Sequence, residues 1–201
     1  MYEPGTFNGG ISIVQKNLIN DRFNYTTGIY YVNFTPFSFL EGTLRETLIS
    51  HKGQKGFQEQ DRSSTLRIRP LKEGRWWPAV VIGANDFYSY HGASPYQAYY
   101  AVMTKHLSCS TWGSVAITIG YLNHLGNKRY KRTPTYQNGL FGGFSYALPL
   151  RQDISIKGEW DTRAFNCGVH ALLFKHLGLM CFTREFKGVT AGIYYHYTIK
   201  Y

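Results

Sequence analysis

The sequence contains no long apolar run. Nowhere do its 201 residues approach the ~18 consecutive apolar positions of a membrane-spanning helix, so a helical membrane protein is excluded. Acid is scarce, with 12 Asp+Glu against 22 Lys+Arg and a formal charge of +10. Charge as a whole is scarce too, at 17% of residues, where an ordinary soluble domain carries roughly 25%. The three cysteines, Cys109, Cys167 and Cys181, are odd in number and lack CxxC spacing. That pattern excludes a zinc knuckle or a disulfide framework and reads as free thiols, with a single Cys167–Cys181 bridge as the alternative. The seven histidines show no HxH or HExxH spacing, so no metal site is expected and no cofactor is implied. No basic segment followed by an apolar run opens the chain. Either the protein is not exported, or this is a mature form after signal removal.

What the sequence does have is aromatic residues and glycine: 17 Tyr, 13 Phe and 21 Gly. So many aromatics exclude a disordered chain, which would lack the apolar surface needed to fold. Their period is two. From Ile193, the large residues Ile193, Tyr195, Tyr197, Ile199 and Tyr201 alternate with Tyr194, His196, Thr198 and Lys200. Ile154, Ile156, Gly158 and Trp160 alternate with Ser155, Lys157, Glu159 and Asp161. Leu40, Gly42, Leu44 and Leu48 oppose Glu41, Thr43, Arg45 and Thr47, with Glu46 breaking the apolar side. Leu66 and Ile68 oppose Arg67 and Arg69.

The alternation predicts twelve strands, at 6–15, 24–35, 38–49, 64–70, 77–88, 96–107, 112–123, 138–148, 152–162, 165–175, 178–185 and 188–200. Most match the roughly 9–11 residues of a tilted membrane-spanning strand. Connections after even-numbered strands are short, and the early connections after odd-numbered strands are long. With an even strand count both termini fall on the short-turn side. The expected fold is all-β, one transmembrane antiparallel up-and-down barrel of about twelve strands filling residues 1–201 as a single domain. The alternative is a soluble sandwich or lipocalin-like barrel, because alternation alone does not say which face is inside. Three features favour the membrane. Mixed charges on the polar stripes can pair across a lumen. Aromatics gather at strand ends (Trp76, Trp77, Phe87, Tyr88, Tyr90, Tyr96, Tyr136), as in interfacial girdles. The residues Gly192, Tyr195, Tyr197, Ile199 and Tyr201 look like the C-terminal signal read by barrel-assembly machinery.

Several segments, in order, resemble one family. Pro78-Ala79-Val80-Val81-Ile82-Gly83-Ala84-Asn85-Asp86-Phe87 is similar to a motif of the YjbH-like outer-membrane barrels. Gly120-Tyr121-Leu122, then Phe141-Gly142-Gly143-Phe144 with Pro149 shortly after, then Lys157-Gly158-Glu159-Trp160-Asp161 follow in the same order. The resemblance covers residues 25–201. It implies a bacterial outer-membrane location and a connection with exopolysaccharide export, and no known catalytic residue.

The candidate site is a lumenal charge network of Glu41, Arg45, Arg67, Arg69, Lys157, Glu159 and Asp161. Lys157, Glu159 and Asp161 form a column on one strand face. The expectation is that they pair with Arg45, Arg67 and Arg69 on other strands, since unpaired buried charge is costly. Asn85 and Asp86 either join this network or line a loop pocket. A glycosidase reading of the carboxylate pair is the sharper alternative. His91-Gly92-Ala93-Ser94 invites a Ser/His reading, but no third member can be named. The sequons at Asn24 and Asn33 fall within strands and carry no meaning in a bacterial barrel. No enzyme activity is expected.

Lys128, Arg129, Lys131 and Arg132 form a basic cluster in a long loop. Only Tyr130 is interleaved, so nucleic acid is not the expected partner. Outer-membrane lipid or lipopolysaccharide, acidic polysaccharide, barrel-assembly machinery and a larger outer-membrane complex are. The expected role is an accessory or structural subunit of such a complex or of exopolysaccharide export. A narrow channel for small or anionic solutes, suggested by Arg67 and Arg69, is the rival.

Overall fold

A sheet whose strands are apolar on one face and polar on the other has to hide one face from the wrong solvent, and this chain does so by closing the sheet on itself. The computed structural model describes residues 2–15, 26–50, 56, 58–89, 97–109, 112–124, 138–149 and 153–199. The strands are β1 (Thr6–Val14), β2 (Thr26–Phe37), β3 (Leu40–Ser50), β4 (Gln58–Leu71), β5 (Ala79–Ser89) and β6 (Ala98–Cys109), then β7 (Gly113–Asn123), β8 (Gly139–Ala147), β9 (Asp153–Trp160), β10 (Phe165–Leu173), β11 (Leu177–Arg184) and β12 (Val189–Thr198). Each strand pairs antiparallel with its sequence neighbours, and β12 pairs with β1 from Thr6↔Thr198 to Val14↔Thr190. The result is a closed twelve-stranded all-β barrel, with no helix among the described residues.

The expected strands are found with shifted ends. The largest shift is in β4, which begins at Gln58 rather than at 64. Its added segment is polar on both faces, so alternation does not mark it.

The polarity of the wall is the inverse of a water-soluble barrel's. Leu44, Ile82, Ile117 and Ile119 point outward and are 66%, 53%, 51% and 51% exposed. Polar side chains dominate the buried positions, among them Thr6, Asn8, Ser12, Asn33, Thr35, Glu41 and Asp86, beside the hydrophobic Ile49, Ala98, Ala164 and Tyr194. Glu46, which interrupted the apolar stripe, is on the outward face, where Arg62 Nη2 approaches it at 3.7 Å. Cys167 and Cys181 are free thiols.

Aromatics cluster at the short-turn rim. Phe37 and Phe39 stack at 5.5 Å, and Trp76, Trp112 and Phe174 are among the most exposed side chains. Tyr146 donates its hydroxyl to the Trp112 carbonyl at 2.6 Å. Tyr90, Tyr96 and Tyr136 lie outside the described residues. Two hairpins turn on paired residues with positive φ, Phe174 (53°) with Lys175 (65°) and Glu185 (48°) with Phe186 (59°). Both central residues left-handed is the type I′ geometry whose twist suits tight hairpins, adopted here without glycine.

Candidate functional site: the barrel lumen

A strand turns alternate residues inward, so the polar stripes converge on one interior. There they are organised as rungs that run around the wall. The first rung joins His196, Asn8, Asn33 and Thr43, direct cross-strand partners on β12, β1, β2 and β3. Asn8 Nδ2 donates to Asn33 Oδ1 at 3.3 Å, and Asn33 Nδ2 donates to Thr43 Oγ1 at 2.9 Å. Asn8 Oδ1 then accepts from His196 Nδ1 at 2.6 Å, so the amide orientation places the ring proton on Nδ1. The N-terminal segment folds beside this rung, with the Tyr2 ring 5.7 Å from that of His196. Burial and the Glu41 carboxylate push the Tyr2 phenol up, against an opposing pull from Arg67.

The second rung crosses Glu41 on β3, Arg67 on β4, Gly83 on β5 and Tyr100 on β6. Arg67 Nη1 sits 3.0 Å from Glu41 Oε1, and Arg67 Nε donates to the Tyr100 hydroxyl at 2.8 Å. The Tyr100 ring reaches Arg67 by lying over Gly83, where an added Cβ would fall 2.2 Å from its Cζ. The same device recurs around the barrel. Phe141 covers its partner Gly120, Phe182 covers Gly168, and Tyr194 covers Gly178 to meet His170 Nε2 at 2.6 Å. Each ring leans onto the preceding strand. A glycine covered by a cross-strand aromatic recovers the packing it lacks and pins the register.

Arg45 has its partner in Asp86, whose side chain is 1% exposed; Arg45 Nη2 donates to both carboxylate oxygens at 2.8 and 2.9 Å. A bulge makes this possible. Ser64 faces Tyr88 while Leu66 faces Ala84, so β5 carries extra residues there, and Asp86 takes φ 47°. Arg69 donates to the carbonyl of Ser38 in the β2–β3 turn.

The opposite wall is looser. Small residues on β7 and β8, among them Thr118 and Gly143, leave a cavity of about 670 Å³ that Lys157, Glu159, Asn166 and Arg184 also line. Asn166 Nδ2 donates to Glu159 Oε1 at 3.4 Å and to Asp161 Oδ2 at 3.2 Å, and Arg184 Nη2 lies 3.5 Å from Asp161 Oδ2.

The expected network is therefore divided. Among the described residues no ion pair joins Lys157, Glu159 or Asp161 to Arg45, Arg67 or Arg69. The cause is lateral: the two groups sit on β3–β4 and β9, far apart around the wall. Asp161 also leaves the column. It follows the end of β9 and accepts the backbone N–H groups of Arg163 and Ala164 at 3.2 and 2.9 Å, closing the β9–β10 turn. In the C-terminal pattern, Tyr195, Tyr197 and Ile199 are exposed on the outer face. Gly192 is on the other face, where an added Cβ would meet Met180 Cε at 2.4 Å. Tyr201, and Lys128, Arg129, Lys131 and Arg132, lie outside the described residues, as does His91-Gly92-Ala93-Ser94.

At the short-turn rim, Glu73 accepts from the His106 backbone N–H at 2.9 Å, with His106 Nδ1 at 2.6 Å and Lys105 Nζ at 3.1 Å. The backbone bond first, then the His106 ring and Lys105, hold its carboxyl down at about 2.

Asn8, Tyr100, Asn166, Arg184 and His170 do not stand out in the sequence, and Asn33 and Tyr194 stand out there only as a sequon and as part of a strand's alternation. The signal that would have found several is a glycine on one strand and an aromatic at the facing position of the next.

The matches to known proteins follow this geometry. A family model described as exopolysaccharide biosynthesis protein YbjH matches residues 18–198. The uncharacterized lipoprotein YjbH of Escherichia coli (strain K12) is 25% identical over 177 residues, covering 71% of this chain and 24% of that protein. The chain thus spans about a quarter of that relative's length. Gly83, Gly120 and Gly158, which carried the resemblance in the sequence, are three of the covered glycines, and Phe141 is the ring over Gly120, with Gly158 under Phe144 on the outer face. With nearly the whole barrel matched, the chain belongs to the YjbH exopolysaccharide biosynthesis family.

Proposed function

We propose that this chain is the membrane-spanning barrel of a bacterial outer-membrane protein and works as an accessory or structural subunit in exopolysaccharide export. The observation that carries the reading is the inverted wall. Apolar side chains form the outer surface while Asn8, Asn33, Glu41 and Asp86 are buried inside. A wall of that kind suits hydrocarbon outside and water or ion pairs within. The outward Tyr195, Tyr197 and Ile199 supply the last strand that barrel-assembly machinery would read, and lipopolysaccharide is the natural neighbour of the long-loop end. The role is non-catalytic in this reading, because Asp161, the second carboxylate a glycosidase pair would need, is committed to the β9–β10 turn through the backbone N–H groups of Arg163 and Ala164.

Cell fractionation tests the reading. The protein is expected in the outer membrane, resistant to carbonate extraction, and a strain lacking it is expected to secrete less polysaccharide. A soluble, detergent-free protein would refute it. A second reading, a narrow channel, is favoured by the cavity beside Lys157. Planar-bilayer recordings separate the two, since the rungs on β12 to β6 predict no large steady conductance.

A further inference from the structure

We propose that the cavity between β7–β9 and β10–β12 is a binding subsite for a carboxylate-bearing sugar residue of an acidic glycan, anchored by Lys157. The proposal rests on the polysaccharide reading above and names its site and substrate class.

The charges in the cavity are unequally satisfied. Glu159 and Asp161 both accept from Asn166, and Asp161 has Arg184 at 3.5 Å. Lys157 is half-buried on the same wall, yet no carboxylate lies within ion-pair distance of its Nζ among the described residues. Glu159 acts on this ammonium only at a distance, across the cavity wall, so a half-desolvated cation without a contact partner is further relieved by an anionic ligand. The acids and the amide beside it are suited to hydroxyls. Glu159, two residues along the strand, presents a carboxylate that accepts from a sugar hydroxyl, and Thr118 adds a hydroxyl of its own.

The apolar part of the lining fits the same ligand. Phe141 and Phe182 both line the cavity, and each is held over a glycine, Gly120 and Gly168. Aromatic rings in a lining attract the polarised C–H groups of a pyranose. At about 670 Å³ the cavity has the volume of an ordinary small-ligand site, enough for one or two sugar residues.

The test is titration calorimetry of the purified, detergent-solubilised protein with tetragalacturonate, and with maltotetraose as the neutral probe. Saturable tetragalacturonate binding that weakens with salt is expected, with no measurable maltotetraose binding. Lys157→Gln is expected to weaken binding by about tenfold, the scale of one hydrogen bond to a charged group, while Lys157→Arg stays within about threefold. Ser145→Trp, which fills the cavity from β8, is expected to abolish binding. Heat-modifiable gel migration checks that each variant has folded. Equal affinity for the neutral probe, no saturable binding, or an unchanged Lys157→Gln overturns the assignment. If binding fails while the protein still fractionates with the outer membrane and its loss lowers polysaccharide, the subsite alone is wrong. If fractionation fails, the underlying reading is wrong.

Discussion

Gly83→Ala places a methyl group where the Tyr100 ring lies, 2.2 Å from Cζ and 2.4 Å from the hydroxyl oxygen. The ring has to swing off β5, and its hydroxyl then no longer receives the 2.8 Å hydrogen bond from Arg67 Nε. A hydrogen bond to a charged group contributes about 1.5–3 kcal/mol. The edge-on contact of Tyr100 with Phe141, at 6.3 Å and 80°, adds about 0.5–1 kcal/mol. Replacing a strand glycine by alanine returns roughly 0.5–1 kcal/mol of backbone entropy. The expected net loss is about 2 kcal/mol for Gly83→Ala and about 3 kcal/mol for Tyr100→Ala, which loses the same bond without that return. The double variant is the decisive one. With the ring absent the three atoms nearest the methyl are gone, so the pair is expected to cost about 2–3 kcal/mol, and not the ~5 kcal/mol of independent sites. Urea unfolding in detergent micelles, followed by the fluorescence of the four tryptophans, measures all three. An additive double variant, or a Gly83→Ala within about 0.5 kcal/mol of the parent, would refute the covered-glycine account.

Other perturbations follow from the wall and its rim. The depressed Glu73 carboxyl stabilises the fold fully above its ordinary value of 4.5, and that contribution is lost as pH falls toward 2. The unfolding midpoints of the parent and Glu73→Gln should therefore differ at pH 6 and converge near pH 2; a gap that persists at pH 2 contradicts the assignment. Lys175→Gly removes a left-handed residue from the β10–β11 turn, which costs an L-residue about 1–2 kcal/mol, and after the entropy of glycine should stabilise by about 0.5–1 kcal/mol in the same urea assay. Ile119→Arg puts a charge on the outer face and should cost about 2–4 kcal/mol in lipid vesicles, whereas Thr118→Arg one residue away points inward and should cost less.

Much of this was legible because a barrel strand repeats every two residues. The run from Ile193 to Ile199 shows its two faces without a structure, and the short turns identify the end where the termini meet. What was not legible depends on how neighbouring strands are offset. Arg45 finds Asp86 only because β5 bulges between Ala84 and Tyr88; strict alternation would give Asp86 the opposite face from Asn85. Arg67 finds Tyr100 across an intervening strand only because Gly83 leaves room. Asp161 continues a perfect i, i+2 column in sequence, but the strand ends at Trp160 and its carboxylate serves the turn. The early start of β4 is hidden for another reason. Gln58 to Arg62 is polar on both faces, so it carries no contrast for a period of two to reveal.

The central claim is that the apolar outer face meets lipid and the polar inner face meets water. Spin labels at single cysteines replacing Ile117, Thr118 and Ile119 on β7, with the native cysteines removed and the protein in vesicles, test it directly. Collision with oxygen reports lipid, and collision with a water-soluble nickel chelate reports water. The account predicts high oxygen and low nickel accessibility at 117 and 119, and the reverse at 118. Nickel accessibility at all three positions, or low at 118 alone, would contradict it.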